Sequence, residues 1–311
     1  MNWPMHSNIS RRTFFKSSGQ TALALSGLGL LENLAGAVEP FQRAGQARFL
    51  LSIAAYSFRD FLLPKEGGKT IDLFQFIDFC AEQGCPGTEL TSYYFPQPPT
   101  VDFLLQIRRH CFLRGVEVSG TACGNNFALP PGEKLTEQIH LVKKWVDYAA
   151  VLGAPHIRVF AGDAAQGMTD AQARKVCIAT LEDCSDYAGS KGIFLGLENH
   201  GGIVARPEGL LEIVRAVKSR WLGINLDTGN FHSADPYADL ARCAPYAVNV
   251  QLKASIRREG AKGPEAADFK RLFQILRDAN YQGYIALEFE EDEDPWKAVP
   301  LLFQRMKEFA A

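Results

Sequence analysis

The sequence is poor in the residues that build zinc sites, disulfide frameworks and nucleic-acid surfaces. Its seven cysteines are scattered and form neither a CxxC pair nor a Cys/His cluster, which argues against a disulfide framework and a structural zinc site. A formal net charge of −2 provides no basic field for nucleic acid or an anionic membrane. What remains is an ordinary globular composition with 47% hydrophobic and 22% charged residues, and we expect the cysteines to be small buried hydrophobes.

A long apolar run is also missing, except for a short segment near the N-terminus. Residues 10–16, Ser-Arg-Arg-Thr-Phe-Phe-Lys, resemble the twin-arginine pattern of the bacterial Tat export pathway. The segment at 21–34 is too short for a membrane span of about 20 residues, although an anchoring or amphipathic helix is the alternative. Small residues at 35–37 form a cleavage site. We predict a signal peptide at 1–37, interaction with the Tat export machinery, and a periplasmic or extracellular mature protein at 38–311.

Four short apolar runs end abruptly on polar side chains. Residues 193–197 run into Glu198, and the next three runs end on Asp227, Gln251 and Glu288. The intervals between these four residues are 29, 24 and 37 positions, close to the roughly 30 residues of one βα unit in an eight-unit barrel. Polar groups at the carboxyl ends of buried parallel strands are typical of an α/β active site.

The whole mature chain follows the same alternation of strand and helix. Predicted strands lie at 49–56, 87–91, 116–122, 156–160, 193–198, 222–227, 247–251 and 284–288. Predicted helices begin after Thr70, at Thr100, near 134, at Thr169, at Arg206-Pro207, at Asp235-Pro236, near 266 and at Asp294-Pro295. No linker or low-complexity segment interrupts them. Eight such units predict a single-domain α/β fold, the (β/α)8 TIM barrel.

The four strand-end oxygens predict a metal site. Carboxylates that converge on one small volume repel each other, and a divalent cation removes that repulsion. Glu198, Asp227, Gln251 and Glu288 are all oxygen donors, a set that favours Mn²⁺ or Mg²⁺ over Zn²⁺. The competing interpretation is that single acidic residues at strand ends are helix N-caps.

The ordered motifs resemble the sugar phosphate isomerase/epimerase family of xylose isomerase-like TIM barrels. The motifs that carry the resemblance are LENH at 197–200, NLDTGN at 225–230, VQLK at 250–253 and LEFE at 287–290. The resemblance implies that Glu198 and Glu288 bind the metal and act as acid and base, with Asp227 as a ligand only. Gln251 stands where the family usually has histidine, and Arg257 is similar to the family's substrate-binding arginine.

The chemistry that the resemblance implies is proton transfer next to a carbonyl. The metal would polarise a sugar or sugar-like hydroxy-ketone, and one glutamate would remove the α-proton that the other returns. Further candidates for substrate binding are Lys253, which shares a face with Gln251 by the period of two, and four rim residues: His200, Glu89, Arg158 and Asn230. For Glu89 and Arg158 a strand-end ion pair is the alternative. The acidic run at 290–294 is expected to be a solvated loop.

Other functions remain open at this point. The same base could expel a leaving group by β-elimination, as in a lyase or dehydratase acting on keto-sugars, keto-glycosides or keto-inositols. A non-catalytic sugar-binding barrel is a third possibility, since fold does not fix function. A multi-zinc nuclease of the endonuclease IV kind is disfavoured by six dispersed histidines and the net charge. The expected partner is a small carbohydrate, not nucleic acid, and a homo-oligomer is left open.

Overall fold

The computed structural model describes residues 38–63, 68 and 70–310, and their strands close into one barrel. The eight barrel strands, listed in chain order, are β1 (Arg48–Ala54), β2 (Gly87–Thr91), β3 (Glu117–Ala122), β4 (His156–Val159), β5 (Phe194–Glu198), β6 (Leu222–Asp227), β7 (Ala247–Leu252) and β10 (Gln282–Leu287). All neighbouring pairs are parallel, and β1 closes the ring by pairing with both β2 and β10. The predicted TIM barrel is confirmed.

Helices alternate with these strands and cover the outside of the barrel. They are α1 (Arg59–Leu62), α2 (Leu73–Glu82), α3 (Val101–Arg114), α4 (Glu133–Leu152), α5 (Asp170–Ser190), α6 (Pro207–Ala216), α7 (Pro236–Cys243), α8 (Phe269–Asp278) and α9 (Pro295–Ala310). In the part of the chain that the structure describes, none of the helices is both long and apolar enough to cross a membrane. The predicted signal segment at 1–37 lies outside the described residues.

The core lies between the strands and the helices. In α8, Phe269, Leu272, Phe273 and Leu276 are buried at positions i, i+3, i+4 and i+7, the spacing of one helix face turned to a sheet. All seven cysteines are free and buried, which confirms their expected role as small core residues. Their burial raises the pKa of each thiol, so the neutral form is favoured.

Most of the predicted helix starts agree with the structure. Thr169 and Gln172 form the expected capping box of α5, and Pro207 and Pro236 stand in the first turns of α6 and α7. Helix α2 starts later than predicted, because the Asp72 side chain caps it in a second capping box.

The structure contains several short elements that the sequence pattern did not indicate, among them a 3₁₀ helix after β1 and a hairpin after β7. The first predicted strand stops at Ala54, where the chain turns into a short 3₁₀ helix at Ala55–Phe58. A two-stranded antiparallel hairpin, β8 (Ser255–Ile256) with β9 (Glu265–Ala266), follows β7. This hairpin lies at the rim where the predicted site residues end their strands.

Candidate active site

The barrel brings the four predicted ligand residues to one rim. Glu198 and Asp227 are the last residues of β5 and β6, and Glu288 directly follows β10. Gln251 lies next to Asp227 in the register of β6 and β7. All four are at least 95% buried, with 3%, 0%, 1% and 5% exposure for Glu198, Asp227, Gln251 and Glu288. The four residues thus lie at the same end of neighbouring strands, and their roles as metal ligands stay a prediction.

A lysine ammonium lies among these carboxylates. Lys253 follows β7 directly, and its Nζ lies 2.5 Å from Glu288 Oε2 and 3.3 Å from Asp227 Oδ2. A third carboxylate, Glu290, approaches the same Nζ to 2.9 Å through Oε1. Glu290 was expected to be part of a solvated loop, and its side chain is indeed 42% exposed, but it also belongs to the cluster.

The stem of Lys253 is held by the loop that follows β6. The Lys253 backbone N–H donates to the Thr228 hydroxyl at 2.9 Å, and the Thr228 N–H donates to the Gln251 carbonyl at 2.9 Å. Gly229 leaves room for the stem, since a Cβ at that position would lie 2.7 Å from Lys253 Cγ. The backbone hydrogen bond of Lys253 and the missing side chain at Gly229 together allow the ammonium to point towards the carboxylates.

Glu198 has a separate set of partners. The Arg158 Nε lies 2.8 Å from Glu198 Oε2, and both side chains are buried. The Asn230 amide donates to Glu198 Oε1 at 3.0 Å. The Arg158 guanidinium also lies over the ring of Phe160, 3.9 Å from its centroid. One oxygen of Glu198 thus accepts a hydrogen bond from Asn230 and the other is ion-paired with Arg158. Arg158 and Asn230 lie at the rim as predicted, and both contact this carboxyl group.

Gln251 is oriented by amides and a carboxylate inside the barrel. Its NH₂ group donates to Glu89 Oε1 at 2.7 Å and to Glu288 Oε1 at 3.3 Å. Its oxygen accepts from the Asn225 amide at 2.6 Å. The Asn249 amide in turn donates to Asn225 Oδ1 at 2.7 Å and to Glu89 Oε2 at 2.9 Å.

This network fixes which way the Gln251 amide points. A flipped Gln251 would set its oxygen against two carboxylates and its NH₂ against the Asn225 amide, leaving buried polar groups without partners. The Gln251 oxygen is thus directed away from Glu288 and is already hydrogen-bonded. Asn225 and Asn249 were not among the predicted site residues, although each lies two positions before a rim residue and the period of two would have found them.

Burial shapes the charge state of the acids. Desolvation raises the pKa of Asp227 to about 7, although Lys253 opposes the shift. Desolvation, followed by the charge of Glu288, raises the pKa of Glu89 to about 7, and desolvation raises the pKa of Glu198 well above its usual range despite Arg158. The carboxyl groups outnumber the two cations, so the cluster holds protons at neutral pH that ordinary carboxylates would have lost.

Burial alone would lower the pKa of Lys253, but three surrounding carboxylates raise it well above the usual value. The side chain is therefore an ammonium at neutral pH. Asp227, Glu288 and Glu290 are the three acids that hold it in this form.

The donors at this rim suit a divalent ion in kind, but their arrangement does not fit one. Lys253 already places a positive charge against Asp227 and Glu288, and Gln251 turns its NH₂ to Glu288. Two like unit charges about 4 Å apart repel by roughly 4 kcal/mol at an effective dielectric constant of about 20, and a divalent ion doubles this. Within residues 38–63, 68 and 70–310, no three Asp, Glu, His or Cys side chains form a group able to hold a metal ion.

The remaining predicted site residues lie at varying distances from this cluster. Glu89 is fully buried inside the barrel, bonded to Gln251 and Asn249. His200 is exposed and packs its ring on Phe160 at a centroid distance of 4.5 Å. Arg257 is exposed after β8, and none of the contacts among the described residues joins it to the carboxylates. Its predicted substrate role stays a prediction.

Fold and rim together place the chain among (β/α)8 barrels with an acidic site at the carboxyl ends of their strands. The chain belongs to the xylose isomerase-like TIM barrel family, whose model matches residues 77–306. This is largely a family of sugar isomerases and epimerases. The resemblance drawn from the rim motifs is confirmed for both fold and family.

Individual relatives are distant. A putative hydroxypyruvate isomerase of Xenopus laevis is 23% identical over 175 residues, or 52% of this chain and 64% of that protein, so the match spans less than two thirds of the relative. The solved 3-keto-D-glucoside 4-epimerase YcjR from E. coli is 15% identical with a TM-score of 0.66, covering 84% of this chain and 100% of the other. The IOLI protein, solved with a binding zinc atom, is 16% identical with a TM-score of 0.65 over 83% and 95%. At these identities the structures share the fold.

Proposed function

We propose that the protein is an isomerase or epimerase of a sugar or sugar-like hydroxy-ketone. The observation that carries the proposal is the placement of Glu198 and Glu288 at one buried rim, after β5 and β10, with only β6 and β7 between them in the barrel wall. Two carboxyl groups that face one volume can remove a proton from one side of a bound substrate and return it elsewhere. Family membership supports the same class of reaction.

The surroundings of the two glutamates suit different roles. Glu198 is held by Arg158 and Asn230, and its raised pKa favours the protonated form, so it serves as the acid. Glu288 is paired with the Lys253 ammonium at 2.5 Å, and we assign it the role of the base. The proton moves from carbon to Glu288, and the electron pair moves onto the carbonyl oxygen to form the enediolate.

The charge of the rim favours a neutral substrate. Both buried cations of the site, Arg158 and Lys253, are paired with carboxylates. Two further acids, Asp227 and Glu290, lie beside Lys253. A phosphate dianion placed here would have to displace one of these acids from Lys253 before it could pair with the ammonium. A free ketose or keto-glycoside therefore suits the site better than a sugar phosphate, and this agrees with the Tat-dependent export that we propose from residues 10–16.

Hydrogen exchange tests the reaction directly. Wild-type protein is incubated in D₂O with a panel of ketohexoses, inositol ketones, 3-keto-glycosides, hydroxypyruvate and a ketose phosphate, and NMR records deuterium at the carbon next to the carbonyl. We expect exchange with a neutral member. Glu198→Gln and Glu288→Gln should each slow it by about 100-fold or more, whereas Glu308→Gln, an exposed change in α9, should not.

The same panel separates the competing functions. Exchange accompanied by a released leaving group identifies a lyase or dehydratase. Binding of a sugar without exchange identifies a non-catalytic barrel. Either result would replace the isomerase assignment.

A further inference from the structure

We propose that the ammonium of Lys253 supplies at this rim the positive charge that a divalent ion would otherwise supply, so that the reaction proceeds without a metal. The role of Lys253 in the reaction rests on the proposed function. The structural part of the inference, that Lys253 excludes a divalent ion, stands independently. Among the described residues, Lys253 is the cation that lies between the acids contributed by β6 and by the segment after β10.

The Lys253 ammonium lies between two of the predicted metal ligands. Lys253 Nζ contacts acids on both sides, Asp227 Oδ2 at 3.3 Å and Glu288 Oε2 at 2.5 Å. These two carboxylates are half of the set that the sequence predicted to share a metal. A single ammonium already bridges them, and the buried Asp227 Oδ2 has no hydrogen-bond donor within the described part of the chain other than this ion-pair partner.

The Gln251 amide also faces Glu288 with its donor side. Gln251 presents NH₂ hydrogens to Glu288 and Glu89, as a donor that complements carboxylates would. A metal ligand at this position would instead present its oxygen. The Asn225 amide holds the Gln251 oxygen at 2.6 Å, so the orientation is enforced from a neighbouring strand. The Lys253 ammonium and the Gln251 NH₂ therefore both direct donor hydrogens at Glu288.

The Lys253 ammonium can also be reached by a substrate. Of its three carboxylate partners, Asp227 and Glu288 are buried, while the Glu290 side chain is 42% exposed. A substrate oxygen can replace Glu290 because that partner is the one nearest to solvent. When Glu288 takes the α-proton, the electron pair moves onto the carbonyl oxygen, and the ammonium stabilises the resulting oxyanion by a charge-assisted hydrogen bond. No bond to Lys253 forms or breaks.

Metal binding provides a test that does not need the substrate. Full-length wild type, Lys253→Met and Lys270→Met are purified without chelator, their metal content is measured by elemental analysis, and each is titrated with MnCl₂ in a calorimeter. Lys270 is exposed on α8 and serves as the matched control. We expect wild type and Lys270→Met to contain far less than one metal per chain, and Lys253→Met to bind Mn²⁺ about 100-fold more tightly than either, because the repelling ammonium is gone.

Stoichiometric metal in the wild type would overturn the inference, and so would a folded Lys253→Met that binds Mn²⁺ no better than wild type. If Lys253→Met does not fold, Lys253→Arg retains the charge and should exclude Mn²⁺ as wild type does, and wild-type metal content still decides.

Activity provides the second readout. With the substrate found in the panel, wild-type exchange should be unchanged after dialysis against EDTA. Loss of exchange in EDTA and its recovery with Mn²⁺ would refute metal-free catalysis while leaving the isomerase assignment intact. Absence of exchange with every compound would instead refute the proposed function, and the Mn²⁺ titration would still report on Lys253.

Discussion

Lys253 and Glu288 form a buried ion pair with Nζ and Oε2 2.5 Å apart, and this pair joins the segments that follow β7 and β10. Glu288 is the group to which we assign proton removal. Its nearest cation therefore comes from the chain itself, and the properties of the site depend on how Lys253 and Gln251 are held in place.

Gln251→Glu should destabilise the protein by roughly 3 kcal/mol, because it replaces the donor to Glu89 and Glu288 with a third buried carboxylate. The measurement is urea denaturation at neutral pH. Gln274→Glu is the matched control, since Gln274 also donates to an acid, Asp278 at 2.8 Å, but does so on the surface of α8. Its effect should stay within about 0.5 kcal/mol. Equal effects of the two substitutions would contradict the network described for Gln251.

Gln251→His should keep the fold and shift metal preference towards zinc-like ions, since imidazole suits Zn²⁺ better than an amide oxygen does. Calorimetric titration with ZnCl₂ and MnCl₂ measures the preference. With Lys253 retained, we expect weak binding of both ions. The double change Gln251→His with Lys253→Met should bind Zn²⁺ tightly. Tight binding of Zn²⁺ or Mn²⁺ by Gln251→His alone would show that the Lys253 ammonium does not exclude metal ions.

Gly229→Ala should destabilise the protein by about 1–3 kcal/mol through overpacking. The new methyl group would lie 2.7 Å from Lys253 Cγ and 3.2 Å from the Ser255 carbonyl oxygen. Thermal unfolding measures the loss, and Mn²⁺ titration shows whether the displaced lysine has opened the rim. At Gly263 an added Cβ meets nothing within 4 Å, so Gly263→Ala should be neutral in both assays.

His156 should make stability fall as the pH drops. Desolvation lowers the pKa of His156 to about 4, below its unfolded value, so the unfolded chain takes up a proton first and the stabilising contribution is lost between about pH 6.5 and 4. Glu89, 3.9 Å from Nε2, and Arg158 are the charged groups that face it. Glu89 has a raised pKa, so its contribution to stability changes with pH in the opposite direction. Because this occurs in both wild type and His156→Gln, it largely cancels in the difference between their free energies of unfolding.

The measurement compares wild type with His156→Gln in urea at pH 7 and pH 5. The stability advantage of wild type should shrink by about 2 kcal/mol over that interval, following 1.36 kcal/mol per pKa unit. His140→Gln, an exposed change in α4, should show no such dependence. A constant difference at both pH values would mean that His156 takes up a proton in the folded protein as readily as in the unfolded chain, and would contradict its lowered pKa.

Glu290→Gln should lower KM for a neutral substrate and change kcat by less than about 10-fold, because the amide competes less strongly for the Lys253 ammonium than the carboxylate does. Asp292→Asn, an exposed change in the same loop, is the control and should leave both constants unchanged. A fall in kcat as large as that of Glu288→Gln would instead assign Glu290 to proton transfer.

The sequence predicted the barrel and the location of the site because both depend on short-range periodicity. Apolar runs that end on Glu198, Asp227 and Glu288 sufficed to define the rim. The same period placed Lys253 on the face of Gln251. These features are determined by the order of residues along single strands.

The orientation of Gln251 could not be predicted in this way. It depends on Asn225 from β6, Asn249 from β7 and Glu89 from β2. The residue pattern along a single strand does not show which amide donates to which oxygen on another strand. The contact of Glu290 with Lys253 depends likewise on the path of the loop after β10. The part of the site that decides its chemistry is therefore the part set by contacts between strands.

The amide network under the rim also constrains how this barrel can change over time. Asn225, Asn249, Gln251 and Glu89 are joined to one another by four buried hydrogen bonds, so a change at one position leaves a neighbour without its partner. A lineage that acquires histidine at position 251 must lose a bond to Asn225 or Glu89 at the same step. Single substitutions in this network should therefore be more harmful than paired ones. The network should persist while the surface residues around the site diverge.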